Sequence, residues 1–287
     1  MTSFAEFRNL AIARLTEAGV ATPEADADLL VGHVLDMSRG EVQAKAITDA
    51  ELRADQLDEL TGLLDRRVAR EPLQHITGRA YFRSLELSVG PGVFVPRPET
   101  EQVAQYAVDA LRAVPVEHPI AVDLGTGSGA IAFALATEVS NSFVYAVEVS
   151  PDAFRWTEIN RELTGATNAT IVLGDLADAF VELDGTVDVV ISNPPYIPTN
   201  AVPRDLEVQL HDPATALYGG ADGLDVVRQV SKTGLRLLHP GGTLVLEHGE
   251  LQGASIADLL RTDGWTAVAT HRDLLGRDRA TTALKSP

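Results

Sequence analysis

The chain has 287 residues, 45% of them hydrophobic and 22% charged, an ordinary balance for a folded protein with a substantial core and more chain than one average domain needs. It has no cysteine, which excludes disulfides, thiolate metal sites and thiol catalysis, and its seven histidines are dispersed, none in a metal-ligand spacing with acidic residues, so no metal is expected. A formal net charge of −18 and a pI near 4.7 argue against a large sequence-independent affinity for nucleic acid, whose phosphates demand Lys and Arg.

No basic segment leads into an apolar core and a small-residue cleavage site at the start, and no apolar run approaches the ~20 residues that span a bilayer, so a cytoplasmic protein away from membranes is expected. Residues 1–77 carry helical periodicity: Phe4, Phe7, Leu10, Ile12 and Leu15 can share one face, and Ala25, Leu29, Leu30 and Val34 another. Thr22-Pro23-Glu24 reads as a helix start, with Thr as cap and Pro in the first turn. Thr48-Asp49-Ala50-Glu51 reads as another, continuing through Leu52, Leu57, Leu60, Leu63 and Leu64. The expected product is a small helical bundle. It serves either as a stabilising appendage or, as favoured here, as a partner-docking domain, because an enzyme of small molecules has no need of one ahead of its cofactor fold.

Residues 78–98 are expected to link the domains as a β-hairpin, Arg79–Val89 meeting Phe94-Val95 across Gly90-Pro91-Gly92. Pro96-Arg97-Pro98 stiffens the approach to a helix over Glu99–Ala113, where Glu99 and Glu101 complement the dipole by ~0.3–1 kcal/mol. Strands near 120–124, 143–147, 170–173, 187–192, 242–248, 265–270 and 280–284 then alternate with helices, which by periodicity alone is a doubly wound α/β sheet within a domain 99–287. Ile197–Gly220, rich in Pro and charge, is too long for an ordinary connection and is a candidate substrate-covering loop.

Two motifs carry chemistry. The first, Asp123-Leu124-Gly125-Thr126-Gly127-Ser128-Gly129, lies between a strand and a helix, where glycines permit positive φ and let a ligand approach the backbone. The next strand ends in Glu148, spaced to accept both hydroxyls of a ribose, and the one after ends at Gly174-Asp175. Gly125, Gly127 and Ala130 with Glu148 also satisfy a relaxed dinucleotide fingerprint, so a nicotinamide dehydrogenase is the rival reading.

The second motif, Asn193-Pro194-Pro195-Tyr196, follows the apolar run Val187–Ile191. A planar nitrogen is a poor nucleophile because its lone pair is delocalised. The Asn193 side-chain oxygen and a proline-region carbonyl can accept its two N–H groups, while two prolines stiffen the backbone and remove competing donors. Tyr196 offers a flat face for a planar group. A dehydrogenase has no use for this motif, whereas an S-adenosylmethionine enzyme does. A cofactor-binding scaffold would leave it idle.

Together these motifs resemble a class I methyltransferase acting on an amide or exocyclic nitrogen. Glu71-Pro-Leu-Gln-His-Ile-Thr-Gly78, Val95-Pro-Arg-Pro-Glu-Thr-Glu101 and Asp273-Leu-Leu-Gly-Arg-Asp-Arg279 further resemble signature segments of the HemK/PrmC family of protein-glutamine methyltransferases, and the likeness spans nearly the whole chain. Glu148 stands where many members carry Asp, and His248 where an aliphatic residue is commoner. The resemblance implies a seven-stranded, mostly parallel sheet with its last strand inserted antiparallel, S-adenosyl-L-methionine as cofactor with S-adenosyl-L-homocysteine as product, and a class I peptide-chain release factor as protein partner, methylated on the glutamine of its Gly-Gly-Gln motif. A monomer without direct nucleic-acid contact is expected, and DNA adenine methylation is the alternative, since the Asn-Pro-Pro-Tyr motif alone does not choose between two planar amino groups.

On this reading Asp123, Gly125, Thr126, Gly127, Gly129, Glu148, Asp175 and Asn193 form the cofactor site. Glu148 holds the ribose, Asp175 faces the adenine amine, and Asp123 orients the loop or the methionine ammonium. Asn193, Pro194, Pro195 and Tyr196 are the catalytic and substrate-binding residues, and the resemblance adds Arg97 and Glu99 to the substrate side. Plainer readings make Gly127 and Gly129 turn formers, Asp175 the cap of the next helix, and Glu99 a helix-initiating charge.

Overall fold

In the computed structural model, which describes residues 3–48 and 50–287, Phe4, Phe7, Ala11 and Leu15 form the buried face of α1 (Phe4–Glu17). Spacings of three and four keep them on one line of a 3.6-residue helix. Leu10, expected on that face, stands off the line and is 52% exposed. α2 (Pro23–Leu35) likewise buries Ala27, Leu30 and Val31 and leaves Leu29 in solvent. Thr22 precedes it as expected, but its hydroxyl donates to Asp26 at 2.9 Å and makes no cap bond.

α3 (Arg39–Thr48) and α4 (Ala54–Val68) add Val42, Leu60 and Leu64 to the same core. The helix start expected at Thr48–Glu51 falls partly on Asp49, outside the described residues. Thr48 closes α3, and the leucine-bearing helix begins only at Ala54, where Gln56 accepts the Arg53 N–H at 3.2 Å. Buried Asp28 is satisfied by Arg8 at 2.6 Å and Gln43 at 3.0 Å, as a buried charge requires. α5 (Leu73–Thr77) completes this run.

The next two strands, β1 (Arg79–Phe82) and β2 (Leu85–Ser88), pair directly, so the hairpin turns at Arg83-Ser84 and not at Gly90-Pro91-Gly92. Arg83 has φ +54 and anchors the turn through its own N–H to Glu101 at 3.0 Å and its guanidinium to Glu138. Phe94-Val95 forms no strand. Gly90 instead packs on Trp156, whose ring a Cβ would meet at 2.5 Å.

After α6 (Pro98–Ala113) come β3 (Ile120–Leu124), α7 (Ala130–Glu138), β4 (Phe143–Glu148), α8 (Pro151–Thr164), β5 (Ala169–Leu173) and β6 (Val187–Ser192). The long Ile197–Gly220 segment is not a structureless cover. It holds α9 (Leu206–His211) and α10 (Ala214–Leu217), and Ile197 bridges Tyr218 in parallel. α11 (Asp225–Leu237), β7 (Leu238–Glu247), α12 (Gly253–Asp263), β8 (Thr266–Arg272) and β9 (Asp278–Leu284) finish the chain.

Among the described residues, seven strands form one sheet in the order β5-β4-β3-β6-β7-β9-β8, parallel except for β9, which runs antiparallel between β7 and β8. Both faces are covered, so alternate residues of a strand enter different cores. Ala121, Val189 and Val245 pack with Val103, Ala107 and Phe133. Their neighbours Val122, Val190 and Leu244 pack with Val227, Val230 and Leu260. Because β3 has β4 on one side and β6 on the other, the connections reverse there, and the crevice beyond the carboxyl ends of these strands is where such sheets bind ligands.

Two units result: Met1–Arg79 with Pro203–His211, and Ala80–Val202 with Asp212–Pro287. Pro203–His211, expected in the domain 99–287, joins the helical unit because Glu207 on α9 pairs with Arg67 at 2.9 Å and Arg70 at 2.5 Å. Residues 80–98, expected as a separate linker, cluster with the sheet. No helix among the described residues is long and apolar enough to cross a membrane.

Candidate active site

β3 delivers Asp123, fully buried, to the base of the glycine loop. Its Oδ2 accepts the Thr126 hydroxyl at 2.6 Å, while the Gly125 and Thr126 N–H groups both reach the Val147 carbonyl at 3.0 Å. Gly125, Gly127 and Gly129 all have positive φ, but they do two different jobs. At Gly125 and Gly127 a Cβ would meet open space, leaving bare backbone to a ligand; at Gly129 it would collide with the Phe133 ring, so that glycine lets α7 pack.

Glu148, at the end of β4, accepts the Gly127 N–H through Oε2 and the Ser150 N–H through Oε1, each at 2.8 Å. Each carboxylate oxygen retains acceptor capacity, the arrangement that two vicinal ribose hydroxyls need. Asp123 Oδ1 is buried with no hydrogen-bond partner. Burial pushes this carboxyl up to about 7, against the Thr126 bond and helped by the Glu148 charge. An orphaned carboxylate oxygen suits an ammonium group. These residues therefore fit S-adenosylmethionine: a carboxylate for its amino group, bare backbone beside it, and a second carboxylate for its ribose. Asp175 follows β5, is exposed, and caps a turn through Oδ1 to the Ala177 N–H at 2.8 Å. The helix expected after it does not form; residues 176–180 are turn.

Asn193 leaves the end of β6, next to β3 in the sheet, with Pro194 buried behind it. Its Nδ2 donates to Thr100 Oγ1 at 3.4 Å. The Tyr196 carbonyl accepts Gln252 Nε2 at 2.9 Å, and Gln252 Oε1 takes the Gly249 N–H at 3.0 Å. A Cβ at Gly219 or Gly223 would strike the Pro195 or Tyr196 carbonyl, so these two glycines press the acceptor loop into place. The Tyr196 phenol is pushed up to about 12, first by burial and then by Glu247, and stays neutral. Arg97 stacks 5.0 Å over Phe94 and pairs with Asp212 at 3.0 Å, while Glu99 pairs with Arg277 at 3.1 Å.

The structure thus brings the glycine loop, Glu148 and the acceptor motif to neighbouring strand ends, and Arg97 and Glu99 to the start of α6. Sequence reading missed Thr100, Gly219, Gly223, Glu247 and Gln252. The available signals were an acid ending β7 as acids end β3 and β4, and the cluster Gly219-Gly220-Ala221-Asp222-Gly223. His248 is fully buried, its ring nitrogens 2.9 Å from Gly249 O and Thr281 Oγ1, and burial pushes its pKa down. A neutral imidazole with both nitrogens bonded fills the place of an aliphatic residue.

Residues 6–78 match the family model of the PrmC N-terminal domain and residues 117–274 that of a methyltransferase domain. The chain is 50% identical over 275 residues to the release factor glutamine methyltransferase of Streptomyces coelicolor, covering 95% of each chain. It is 44% identical over 281 residues to that of Bifidobacterium longum, covering 94% of this chain and 96% of the other. It is also 40% identical over 267 residues to the 4-amino-L-phenylalanine/4-methylamino-L-phenylalanine methyltransferase of Streptomyces pristinaespiralis, covering 91% of this chain and 88% of that one. With its class I methyltransferase sheet and S-adenosylmethionine as methyl donor, the chain belongs to the release factor glutamine methyltransferase family.

Proposed function

We propose that this protein methylates the side-chain amide nitrogen of the glutamine in the Gly-Gly-Gln motif of class I peptide-chain release factors. The observation that carries the reading is the orientation of Asn193: with Nδ2 turned onto Thr100, Oδ1 is left to accept an N–H from a planar amino group. A proline-region carbonyl takes the second N–H, and Tyr196 gives the plane of the amide a surface. These contacts turn the nitrogen lone pair out of conjugation, and they strengthen as positive charge grows on nitrogen. Bound S-adenosylmethionine supplies a methyl group already activated by its sulfonium charge. The amide nitrogen would take that methyl as the sulfur leaves with the bonding pair, and would then give up one proton to solvent, with no covalent enzyme intermediate. The enzyme's contribution is positioning, which in favourable cases removes roughly 7–11 kcal/mol of barrier.

In this reading Glu148 holds the ribose, Asp123 the ammonium and Asp175 the adenine amine, while Arg97 and Glu99 border the acceptor. The helical unit docks the release factor, and the −18 net charge of the chain supports a protein over a nucleic acid as substrate. The test uses radiolabelled S-adenosylmethionine with a purified class I release factor, its Gly-Gly-Ala variant, adenine-containing DNA and 4-amino-L-phenylalanine. Label on the release factor that vanishes in the Gly-Gly-Ala variant supports the proposal. Label on DNA or on the free amino acid alone overturns the substrate and leaves the fold and cofactor in place.

A further inference from the structure

We propose that Thr100 and Glu247 are positioning residues that decide which way round Asn193 presents its amide. The inference rests on the acceptor role proposed for Asn193. The two ends of an asparagine amide have nearly the same shape and opposite hydrogen-bonding character, so only the surroundings select which end faces the substrate. Ser192 of β6 is in register with Leu246 of β7, so Asn193 and Glu247, the next residue of each strand, emerge side by side. Thr100, buried in the first turn of α6, serves both: its hydroxyl accepts from Asn193 Nδ2 at 3.4 Å, and its side chain acts on the Glu247 carboxyl as a donor that favours the charged form.

A hydroxyl has one proton. Committed to a carboxylate, it leaves Thr100 only lone pairs to offer Asn193. The NH₂ end must then face inward and Oδ1 outward, where an acceptor is needed for the substrate N–H. Were that proton released, the hydroxyl would donate to Oδ1, the amide would turn over, and an NH₂ group would confront the NH₂ of the substrate. Glu247 is 2% exposed and its Oε2 has no hydrogen-bond partner, an arrangement costly to keep unless the carboxylate serves something.

The relay titrates. Burial pushes Glu247 up to about 7, against the Thr100 bond and the Arg279 charge and together with the Glu99 charge. Besides Arg279 on β9 and Glu99 on α6, the Tyr196 phenol faces the same carboxyl and stays neutral. Ionised Glu247 only accepts, which orients the amide for catalysis. Neutral Glu247 donates into Thr100 and frees its proton for Asn193. Turnover is therefore expected to fall as pH drops through about 7.

The decisive experiment pairs kinetics with an activity-independent readout. Asparagine-selective nitrogen-15 labelling reports the Asn193 side-chain NH₂ signals, identified by their loss in Asn193→Ala. They are expected to titrate with a midpoint near 7 in the unmodified protein, to be pH-independent in Glu247→Gln, and to shift in Thr100→Val. With a release factor as substrate, Thr100→Val should lower kcat about 10- to 100-fold with KM for S-adenosylmethionine changed by no more than roughly twofold, and Thr100→Ser should restore it. Unshifted Asn193 signals in Thr100→Val, undiminished kcat, or a loss of kcat that Thr100→Ser does not restore would each overturn the relay. If the unmodified protein methylates no release factor, the functional reading falls, and the nitrogen-15 titration still decides whether Glu247 and Thr100 orient Asn193.

Discussion

Glu148 Oε2 and the Gly127 N–H meet at 2.8 Å, so the side chain that is to hold the ribose also holds the loop that frames the cofactor. Its other oxygen takes the Ser150 N–H at the start of α8. With Glu148 as the proposed ribose ligand, cofactor recognition and loop conformation share one carboxylate, and the two effects of removing it should appear together.

Glu148→Ala strands two half-buried backbone donors, at about 1–3 kcal/mol at most for an unsatisfied group. The expected outcome is at least a tenfold loss of affinity for S-adenosylhomocysteine by calorimetry, accompanied by a melting temperature lower by roughly 2–8 °C. Unchanged binding would remove Glu148 from the cofactor site.

The loop glycines should separate in the same assays. Gly127→Ala places a side chain at φ +60 in open space, so about 1–2 kcal/mol of backbone strain and weakened cofactor binding are expected. Gly129→Ala adds a collision with Phe133 to comparable strain, an overpacking cost of ~1–3 kcal/mol or more. Thermal melts should show Gly129→Ala as clearly the more destabilising.

Asp123, proposed to hold the cofactor ammonium, should make cofactor binding pH-dependent. Its carboxyl is raised from 3.8 to about 7 in the fold, so between these values the cofactor-free protein favours the neutral acid and becomes less stable as pH rises. Glu247, raised to about 7, adds a change of the same sign. A cofactor ammonium bound at Asp123, as proposed, would favour its ionised form. Affinity for S-adenosylhomocysteine should thus climb with pH and level off above about 7. Calorimetry in buffers of different ionisation enthalpy should detect the released proton, and Asp123→Asn should abolish the dependence.

Glu207 ties Pro203–His211 into the helical unit. Burial acts to raise its pKa, but the bonds from Arg70 and Arg67 outweigh it and hold the carboxyl below its ordinary value. A depressed carboxylate stabilises above its unfolded pKa, and that contribution is lost as pH falls through the folded one. Glu207→Ala should cost roughly 1–3 kcal/mol locally. Faster amide exchange in residues 203–211 and readier tryptic cleavage after Arg204 are the measurements, with exchange in the central strands unchanged.

The strand ends to which the cofactor and acceptor roles are assigned were legible because local chemistry marks them: Asp123 and Glu148 close apolar runs, and the glycine spacing and paired prolines have few other uses. The hairpin was misplaced because Gly90-Pro91-Gly92 has turn composition, yet Gly90 is glycine to admit Trp156 and Arg83 turns the chain at φ +54, held by Glu101 and Glu138. Leu10 and Leu29 were expected inside because they are apolar, but a helix face is set by what packs against it.

By itself the sequence determined the alternation of strands and helices, the glycine loop, the acid after β4 and the acceptor motif, all written in contiguous residues whose spacing is local physics. Only the tertiary structure decided what stands behind them. Thr100 reaches Asn193 from a helix far away in the chain and Glu247 emerges beside it on the adjacent strand, Gly219 and Gly223 matter because another segment's carbonyls lie against them, and Glu207 finds Arg67 and Arg70 across more than a hundred residues. Such contacts depend on which strand lies beside which, and the sheet order is set by packing of both faces at once, which no window of sequence contains.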